Sequence, residues 1–285
     1  MKLAAAVCQG SNTHNEDGWG YLGMPEDVSA AWIFDGVTGI NGRNYLPGGS
    51  DAQWLVARAH DHLLRLAAVD MALPDLLVEL VLALISDWHA VSRGVDLPDD
   101  YDPPAACLVL AKRYGHGWQA LRLGDSCLLA RCGDGAHRIA AASLNNAFDN
   151  WLAREAASRR DEGVLDIKAL LAEFRPQLKA GRKKRNTADG YSILEANEAA
   201  LEFAECLDLA TPSDILLCTD GYYRAVDHYG LYDDVGLLAA SAEEGGTAHV
   251  LRQIRDVEAG DPACQNYPRF KPFDDATAVL LRSSR

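Results

Sequence analysis

The sequence predicts an α+β fold in a single domain that spans residues 1–285. Three observations lead to this prediction: strand-like apolar runs near the N-terminus, two consecutive helices after them, and a series of short strands joined by tight turns in the middle of the chain. With 48% hydrophobic residues, the chain is also able to bury a sizeable core.

Strands alternate with turn-forming residues in the first part of the chain. Strand-like runs occur at residues 2–9 and 18–22, and residues 30–39 form an apolar run that contains Asp35-Gly36. A buried strand that ends in this pair directs one carboxylate and one bare backbone carbonyl beyond the edge of the sheet. That arrangement suits a metal ion, although a single Asp-Gly pair is more typical of an ordinary turn.

Two helices are predicted next, and they form one covering layer. Ser50 is a favourable cap for a helix that ends near residue 71, and Pro74 suits the first turn of a strongly apolar helix that ends near residue 93. An acidic loop at residues 94–104 leads to an antiparallel meander at residues 105–142.

The sequence changes character at about residues 144–200, which we predict to be a variable flap or lid. This flap contains two predicted helices and the basic run Arg182-Lys183-Lys184-Arg185, and such a run is more often a solvated loop than a binding surface. The later elements are predicted as strands at residues 201–209 and 215–218, two helices within residues 233–259 and a buried strand at residues 276–281.

Charge and cysteine content exclude several classes of function. The formal net charge of −14 argues against a general affinity for nucleic acid or anionic membranes, because phosphate groups attract basic surfaces. No stretch has the ~20 consecutive apolar residues that span a bilayer. The seven cysteines are odd in number and lie mostly in apolar runs, so we predict reduced thiols in a cytoplasmic protein, and we expect a monomer.

Carboxylates occur at the ends of predicted strands from both termini and the middle of the chain, at Asp17, Asp35, Asp220 and Asp274. We expect no His or Cys to accompany them as a ligand. Oxygen ligands of this kind select Mg²⁺ or Mn²⁺ over Zn²⁺, and several carboxylates with a backbone carbonyl suit two ions. Two such ions ~3.5 to 4 Å apart lower the pKa of a bridging water and hold a phosphoryl group for in-line attack.

Five ordered motifs carry a resemblance to a known family. They are NEDGWG at residues 15–20, FDGVTG at 34–39, LGDS at 123–126, LLCTDG at 216–221 and DDAT at 274–277. In this order the chain resembles, over nearly its whole length, the metal-dependent protein serine/threonine phosphatases of the 2C type, as a bacterial-like member. The resemblance implies a four-layer α-β-β-α sandwich of two antiparallel sheets flanked by helix pairs. It also implies a signalling role, in which a water bridging two metal ions hydrolyses phosphoserine and phosphothreonine in a phosphorylated protein.

The same resemblance implies roles for individual residues. Asp35 would bridge two ions of Mg²⁺ or Mn²⁺, and the Gly36 carbonyl would complete one of their sites. The other implied ligands are Asp220 and Asp274 for the first ion, Glu16 and Asp17 (directly or through water) for the second, and Asp125 with Asp220 for a third, weaker ion. Asp35, Asp220 and Glu16 are the predicted catalytic residues.

Three positions depart from the family pattern. Asn12 replaces the phosphate-binding arginine four residues before Glu16, Val37 replaces a histidine that many eukaryotic members carry, and Asp275 replaces the usual asparagine. We therefore expect other cations to contact the substrate. The candidates are Arg43 at the phosphoryl group, unless the metals hold it alone, and Lys183, Lys184 and Arg185 at the surface of the phosphoprotein.

Two other functions stay open at the level of sequence. A phosphatase-like binding or regulatory module with weak or no catalysis is favoured by Asn12 and Val37 and opposed by the intact carboxylates. A phosphoesterase for nucleotides or other small molecules rests on fold analogy alone. Activity on a phosphopeptide and on a small aryl phosphate, each with and without Mn²⁺, distinguishes the three functions.

Overall fold

Ten strands form two antiparallel five-stranded sheets in the computed structural model, which describes residues 1–10, 14–133, 135, 137–140, 147–161, 163 and 167–283. The strands are β1 (Lys2–Gln9), β2 (Gly18–Met24), β3 (Asp27–Gly36), β4 (Ala106–Tyr114), β5 (Gly117–Leu123), β6 (Cys127–Cys132), β7 (His137–Ala140), β8 (Glu205–Leu209), β9 (Pro212–Cys218) and β10 (Ala276–Arg282). The helices are α1 (Asp51–Leu66), α2 (Leu73–Ser92), α3 (Ala147–Asp161), α4 (Ile167–Arg182), α5 (Asp220–Asp227), α6 (Asp234–Ala242) and α7 (Gly246–Gly260).

The first sheet joins the two ends of the chain. Its strand order is β1-β10-β9-β6-β7, and the second sheet has the order β2-β3-β4-β5-β8. In the first sheet β10 lies between β1 and β9, with Gln9 opposite Ala276 and Cys218 opposite Ala278. The end of β9, shortly before Asp220, is therefore next to the start of β10, shortly after Asp274.

Alternation along β3 shows how the layers are built. Trp32 and Phe34 are fully buried against α1 and α2, whereas Ile33 is fully buried on the opposite face, against residues of the first sheet. Since successive side chains of a strand point to opposite faces, an uninterrupted apolar run predicts a strand that is covered on both sides. β3 accordingly lies between a helix layer and the first sheet.

The remaining layers complete a sandwich. Helices α5, α6 and α7 pack on the first sheet through a core that includes Leu216, Tyr222, Leu237, Val250 and Leu280. Two helices on the second sheet and three on the first confirm the predicted four-layer α-β-β-α arrangement. The helices α3 and α4 of the flap pack on each other. None of the described helices is long and apolar enough to cross a lipid bilayer.

Three elements differ from the sequence prediction. α1 ends at Leu66 and not near residue 71, and only the second half of residues 201–209 forms a strand, because Glu198–Glu202 is a short 3₁₀-helix. The third difference is α5, which was not predicted and begins at Asp220 itself. Thr219 is extended and precedes the helix, and an acidic residue in the first turn complements the helix dipole.

Candidate metal centre

One end of the two sheets gathers the five aspartates that the sequence predicted as ligands. Asp35 is the penultimate residue of β3, and Asp17 immediately precedes β2. Asp125 lies between β5 and β6, Asp220 begins α5, and Asp274 precedes β10. Burial raises the pKa of Asp35 well above its ordinary value, and the charges of the other four raise it further. The five side chains thus form one electrostatic cluster, drawn from both sheets.

The cluster is unfavourable without added positive charge. Burial, followed by the nearby carboxylates, raises the pKa of Asp17 well above its ordinary value, and burial and then Asp274 raise the pKa of Asp220 to about 7. The Oδ1 atom of Asp17 is buried and has no hydrogen-bond partner among the described residues. A buried carboxylate oxygen is costly without a partner, and an all-oxygen donor set of this kind fits Mg²⁺ or Mn²⁺.

Two threonines hold Asp17 in place. Its Oδ2 atom accepts hydrogen bonds from the hydroxyls of Thr277 (2.7 Å) and Thr219 (3.0 Å). These threonines also bond to each other, since the Thr277 amide donates to Thr219 Oγ1 at 2.9 Å. Sequence reasoning did not assign them a role, although each stands beside a predicted ligand, Thr219 before Asp220 and Thr277 shortly after Asp274.

Both glycines of the Asp-Gly pairs are required by close backbone contacts. A Cβ atom on Gly36 would lie 2.6 Å from the carbonyl oxygen of Glu16, and one on Gly221 would lie 2.0 Å from the carbonyl oxygen of Asp275. Only glycine allows such an approach without displacing the neighbouring chain. The two pairs therefore bring the segments that carry the other carboxylates against Asp35 and Asp220.

Glu16 links the cluster to the loop after β3. Its Oε1 atom accepts a hydrogen bond from Ser50 Oγ at 2.7 Å, and its Oε2 atom accepts one from Thr38 Oγ1 at 2.6 Å. Its backbone amide donates to Asp275 Oδ2 at 3.0 Å. Glu16 is buried in this network, and its binding to a metal ion, directly or through water, stays a prediction.

Asp274 lies between two cations that sequence reasoning did not assign to the site. Its Oδ1 atom is 3.0 Å from Lys271 Nζ, and its Oδ2 atom is 2.6 Å from Arg224 Nη2, which is also 3.7 Å from Asp220 Oδ2. Burial alone would raise the pKa of Asp274, but Lys271 and Arg224 hold it well below the usual range. Asp274 is thus ionised where its neighbours resist ionisation.

A thiol corrects the expectation that no cysteine accompanies the carboxylates. Ligand atoms of Cys107, Asp35 and Asp125 lie within 4.8 Å of one another, and the thiol donates to Asp125 Oδ1 at 3.1 Å. The reason is the register of the sheet, in which Cys107 on β4 is directly opposite Asp35. Burial, and then Asp125 and Asp35, raise the pKa of this thiol, which keeps it protonated.

The basic run is only partly exposed, which corrects the prediction for Arg185. Arg185 is buried and pairs with Asp102, and the guanidinium of Arg182 also pairs with Asp102. Arg185 therefore does not present a free cation to a phosphoprotein, because its charge is needed to compensate a half-buried aspartate. Lys183 and Lys184 are exposed, as predicted for a solvated segment.

Other basic side chains of α4 fasten the flap to the rest of the molecule. Arg175 donates to the carbonyl of Ile40 at 2.8 Å and to Asp100, and Lys179 donates to Asp100 as well. Arg182 Nη2 donates to the carbonyl of Thr38 at 2.6 Å, in the loop that immediately follows Gly36. The flap thereby contacts the residue whose hydroxyl holds Glu16.

Three further positions singled out from the sequence are Arg43, Val37 and Asn12. Arg43 is exposed, with its guanidinium 4.5 Å from the centre of the Tyr45 ring, and among the described residues it contacts none of the cluster. Val37 packs with Ala105 and Cys107. Asn12 lies outside the described residues.

We expect the metal-free protein to lose stability as the pH rises from about 5 to about 8. Because the pKa of Asp220 is about 7 in the folded protein and about 4 in an unfolded chain, the folded state binds more protons in this window, and raising the pH favours unfolding. His228 opposes this trend, since burial lowers its pKa.

Thermal unfolding in EDTA across this pH range, for wild type and Asp220→Asn, measures the effect. The variant should have the higher melting temperature at about pH 8 and the flatter pH profile. Parallel profiles for the two proteins would contradict the prediction.

Comparisons with known proteins identify the family and the fold. A family model described as Protein phosphatase 2C matches residues 6–254. The crystal structure of the Mycobacterium tuberculosis serine/threonine phosphatase PstP/Ppp is similar with a TM-score of 0.57 and 15% identity, covering 99% of this chain and 98% of that one. PppA, a key regulatory component of T6SS in Pseudomonas aeruginosa, is similar with a TM-score of 0.53 and 19% identity, covering 98% and 96%. No curated protein sequence matches the chain.

A third similar structure contains metal ions. The catalytic domain of PstP in complex with two manganese ions is similar with a TM-score of 0.50 and 16% identity, covering 97% of this chain and 95% of that one. At such identities the structural matches show a common fold, while the family model covers most of the chain.

Proposed function

The chain belongs to the protein phosphatase 2C family of metal-dependent phosphoric monoester hydrolases, and from this membership we propose that it hydrolyses phosphoserine and phosphothreonine in proteins. One observation supports the proposal above the others: Asp17, Asp35, Asp220 and Asp274 converge from both sheets, and one buried carboxylate oxygen has no partner among the described residues. Bound cations would offset the repulsion among these carboxylates.

The residues that would hold two divalent ions, Mg²⁺ or Mn²⁺, are Asp17, Asp35, Asp220, Asp274 and the Gly36 carbonyl, with Asp125 available to a third, weaker ion. Bound ions would offset the charge of a phosphoryl group and lower the pKa of the attacking water. The protein itself holds the carboxylates in position. Thr219 and Thr277 fix Asp17, and Ser50 and Thr38 fix Glu16 beside the cluster.

The substrate is proposed to be a phosphorylated protein that meets a charged, exposed surface on the flap. Lys183 and Lys184 are the exposed members of the basic run and are the proposed contacts for the protein part of the substrate. Arg43 remains a candidate for contact with the phosphoryl group, since it is exposed. We further propose a cytoplasmic monomer that acts in signalling. The net charge of −14 supports the part of this proposal that excludes binding to nucleic acid and anionic membranes.

One observation favours a second function, a phosphatase-like module that binds phosphorylated partners with little turnover. Both oxygens of Asp274 already contact cations of the protein, Lys271 and Arg224. Those contacts compete with a metal ion for the same carboxylate. The alternative predicts weak metal binding and slow turnover at any metal concentration.

Hydrolysis of a phosphothreonine peptide and of para-nitrophenyl phosphate should both require added Mn²⁺ or Mg²⁺, because oxygen ligands bind these ions reversibly. Measured rates with Mn²⁺, with Mg²⁺ and after chelation by EDTA test the proposal. Full activity in EDTA-treated protein would refute it. Metal binding without turnover of either substrate would support the module, and turnover of the aryl phosphate alone would support a small-molecule phosphoesterase.

A further inference from the structure

Lys271 contacts two of the segments around the carboxylates. Its Nζ atom donates to Asp274 Oδ1 at 3.0 Å and to Thr38 Oγ1 at 3.1 Å. The Thr38 hydroxyl in turn donates to Glu16 Oε2 at 2.6 Å. The ammonium group therefore lies between the segment before β10, which carries Asp274, and the loop after β3, which carries Thr38.

The contacts of Lys271 leave part of its hydrogen-bonding capacity unused. An ammonium group has three N–H donors, and two acceptors, Asp274 and Thr38, are assigned among the described residues. The side chain retains 17% of its accessible surface. The third N–H donor therefore has no assigned acceptor among the described residues.

Arg224 is the other cation in contact with the cluster, and its surroundings differ. It belongs to α5, its Nη2 atom contacts Asp274 and approaches Asp220, and its Nη1 atom is buried. Arg224 therefore faces the helices that cover the first sheet. Lys271 faces the loops at the end of the sandwich.

We propose that Lys271 binds a non-bridging oxygen of the substrate's phosphoryl group through its remaining N–H donor. This proposal rests on the proposed function and adds a protein residue that contacts the substrate. A phosphate dianion that enters a group of carboxylates is repelled by them, and a fixed ammonium among those carboxylates offsets part of the repulsion. Thr38 and Asp274 orient the ammonium, and Arg182 holds the Thr38 backbone from the flap side.

Binding of inorganic phosphate to the Mn²⁺-loaded protein, measured by calorimetry, tests the proposal together with binding of Mn²⁺ to the metal-free protein. The Lys271→Met variant should raise the Kd for phosphate, and the KM for para-nitrophenyl phosphate, by about tenfold or more, the effect of losing one charge-assisted hydrogen bond. Its Kd for Mn²⁺ should be equal to or lower than that of wild type, since a competing cation has been removed from Asp274. Lys2→Met is the control. It removes the same charge at the end of β1 that pairs with Arg282, away from Asp274, and should leave the Kd for phosphate, the KM and the Kd for Mn²⁺ unchanged.

A variant that fails to fold does not decide the question, so Lys271→Gln is measured in parallel. Glutamine keeps an N–H donor for Asp274 or Thr38 and carries no charge, and the same rise in the phosphate Kd is expected. A phosphate Kd within about twofold of wild type in the folded variants would overturn the proposal. So would weaker Mn²⁺ binding that accounts for the whole effect, because Lys271 would then only support Asp274.

The outcome also separates this proposal from the proposed function. If wild type hydrolyses neither substrate yet binds phosphate about tenfold more tightly than Lys271→Met, the phosphatase function fails and the binding role of Lys271 stands. If wild type hydrolyses both substrates and Lys271→Met matches its KM, the reverse holds.

Discussion

Replacement of Asp35 by asparagine is expected to lower kcat by about a thousandfold or more at saturating Mn²⁺, a loss of ~4 kcal/mol of transition-state stabilisation. Asp35 is the member of the cluster whose pKa is raised by all four of the other aspartates, so it lies where their fields meet. Asparagine preserves its shape and removes the charge that holds the cations in this position. The assay is turnover of para-nitrophenyl phosphate, with Mn²⁺ binding measured on the same protein.

Two matched variants make the result interpretable. Asp125→Asn should lower kcat far less, because Asp125 is exposed and lies at the edge of the cluster. Asp99→Asn, an exposed position in the acidic loop, should behave as wild type. If Asp35→Asn kept the wild-type kcat, Asp35 would have to be regarded as a turn residue.

Replacement of Asp102 by asparagine is expected to destabilise the protein by ~3 to 5 kcal/mol, the range for removing one partner of a buried ion pair. Asp102 accepts hydrogen bonds from both Arg182 and Arg185, whose side chains are only 11% and 6% exposed. Without the aspartate, Arg182 would lose its carboxylate partner and Arg185 would keep only the more distant Glu195, at 4.0 Å. Denaturant unfolding of wild type and variant measures the difference in the free energy of unfolding.

Asp100 offers the matched control for this effect. It also pairs with two basic side chains of α4, Arg175 and Lys179, but it is largely exposed. Water screens exposed ion pairs, so Asp100→Asn should change the unfolding free energy little. Equal destabilisation by the two substitutions would mean that burial of Asp102 is not the cause. Loss of turnover in Asp102→Asn at temperatures where it remains folded would show that the flap positions Thr38.

The aspartates of the site could be predicted from the sequence because each one follows or precedes an apolar run. In β3 and β9 the run is buried on both faces and ends at the aspartate or just before it, so the local pattern alone places Asp35 and Asp220 at a sheet edge. The layers of the sandwich could be predicted from the same apolar runs. The start of α5 at Asp220 was missed because the apolar run before it dominated the interpretation, although Thr219-Asp220 is a reasonable helix start.

Residues that depend on register or on distant segments could not be predicted in this way. Cys107 is beside Asp35 because β3 and β4 pair in one particular register, and a shift of one residue would place the thiol on the other face. Lys271 reaches Thr38 across a large separation in sequence. Arg185 is different, since a signal existed: the basic residues of α4 recur at helical spacing, and the acidic loop at residues 94–104 offers complementary charge.

The central position of β10 in its sheet has a consequence for biosynthesis. β10 separates β1 from β9, so until residues 276–282 leave the ribosome the first sheet consists of two unjoined parts with open edges. Asp274 enters the cluster with the same segment. A nascent chain therefore carries most of the sandwich as an incomplete, aggregation-prone intermediate until β10 is available to join β1 to β9. Ribosome-bound chains that stop before residue 274 should accordingly resist neither protease nor aggregation, whereas chains that include β10 and have left the ribosome should reach the protected state.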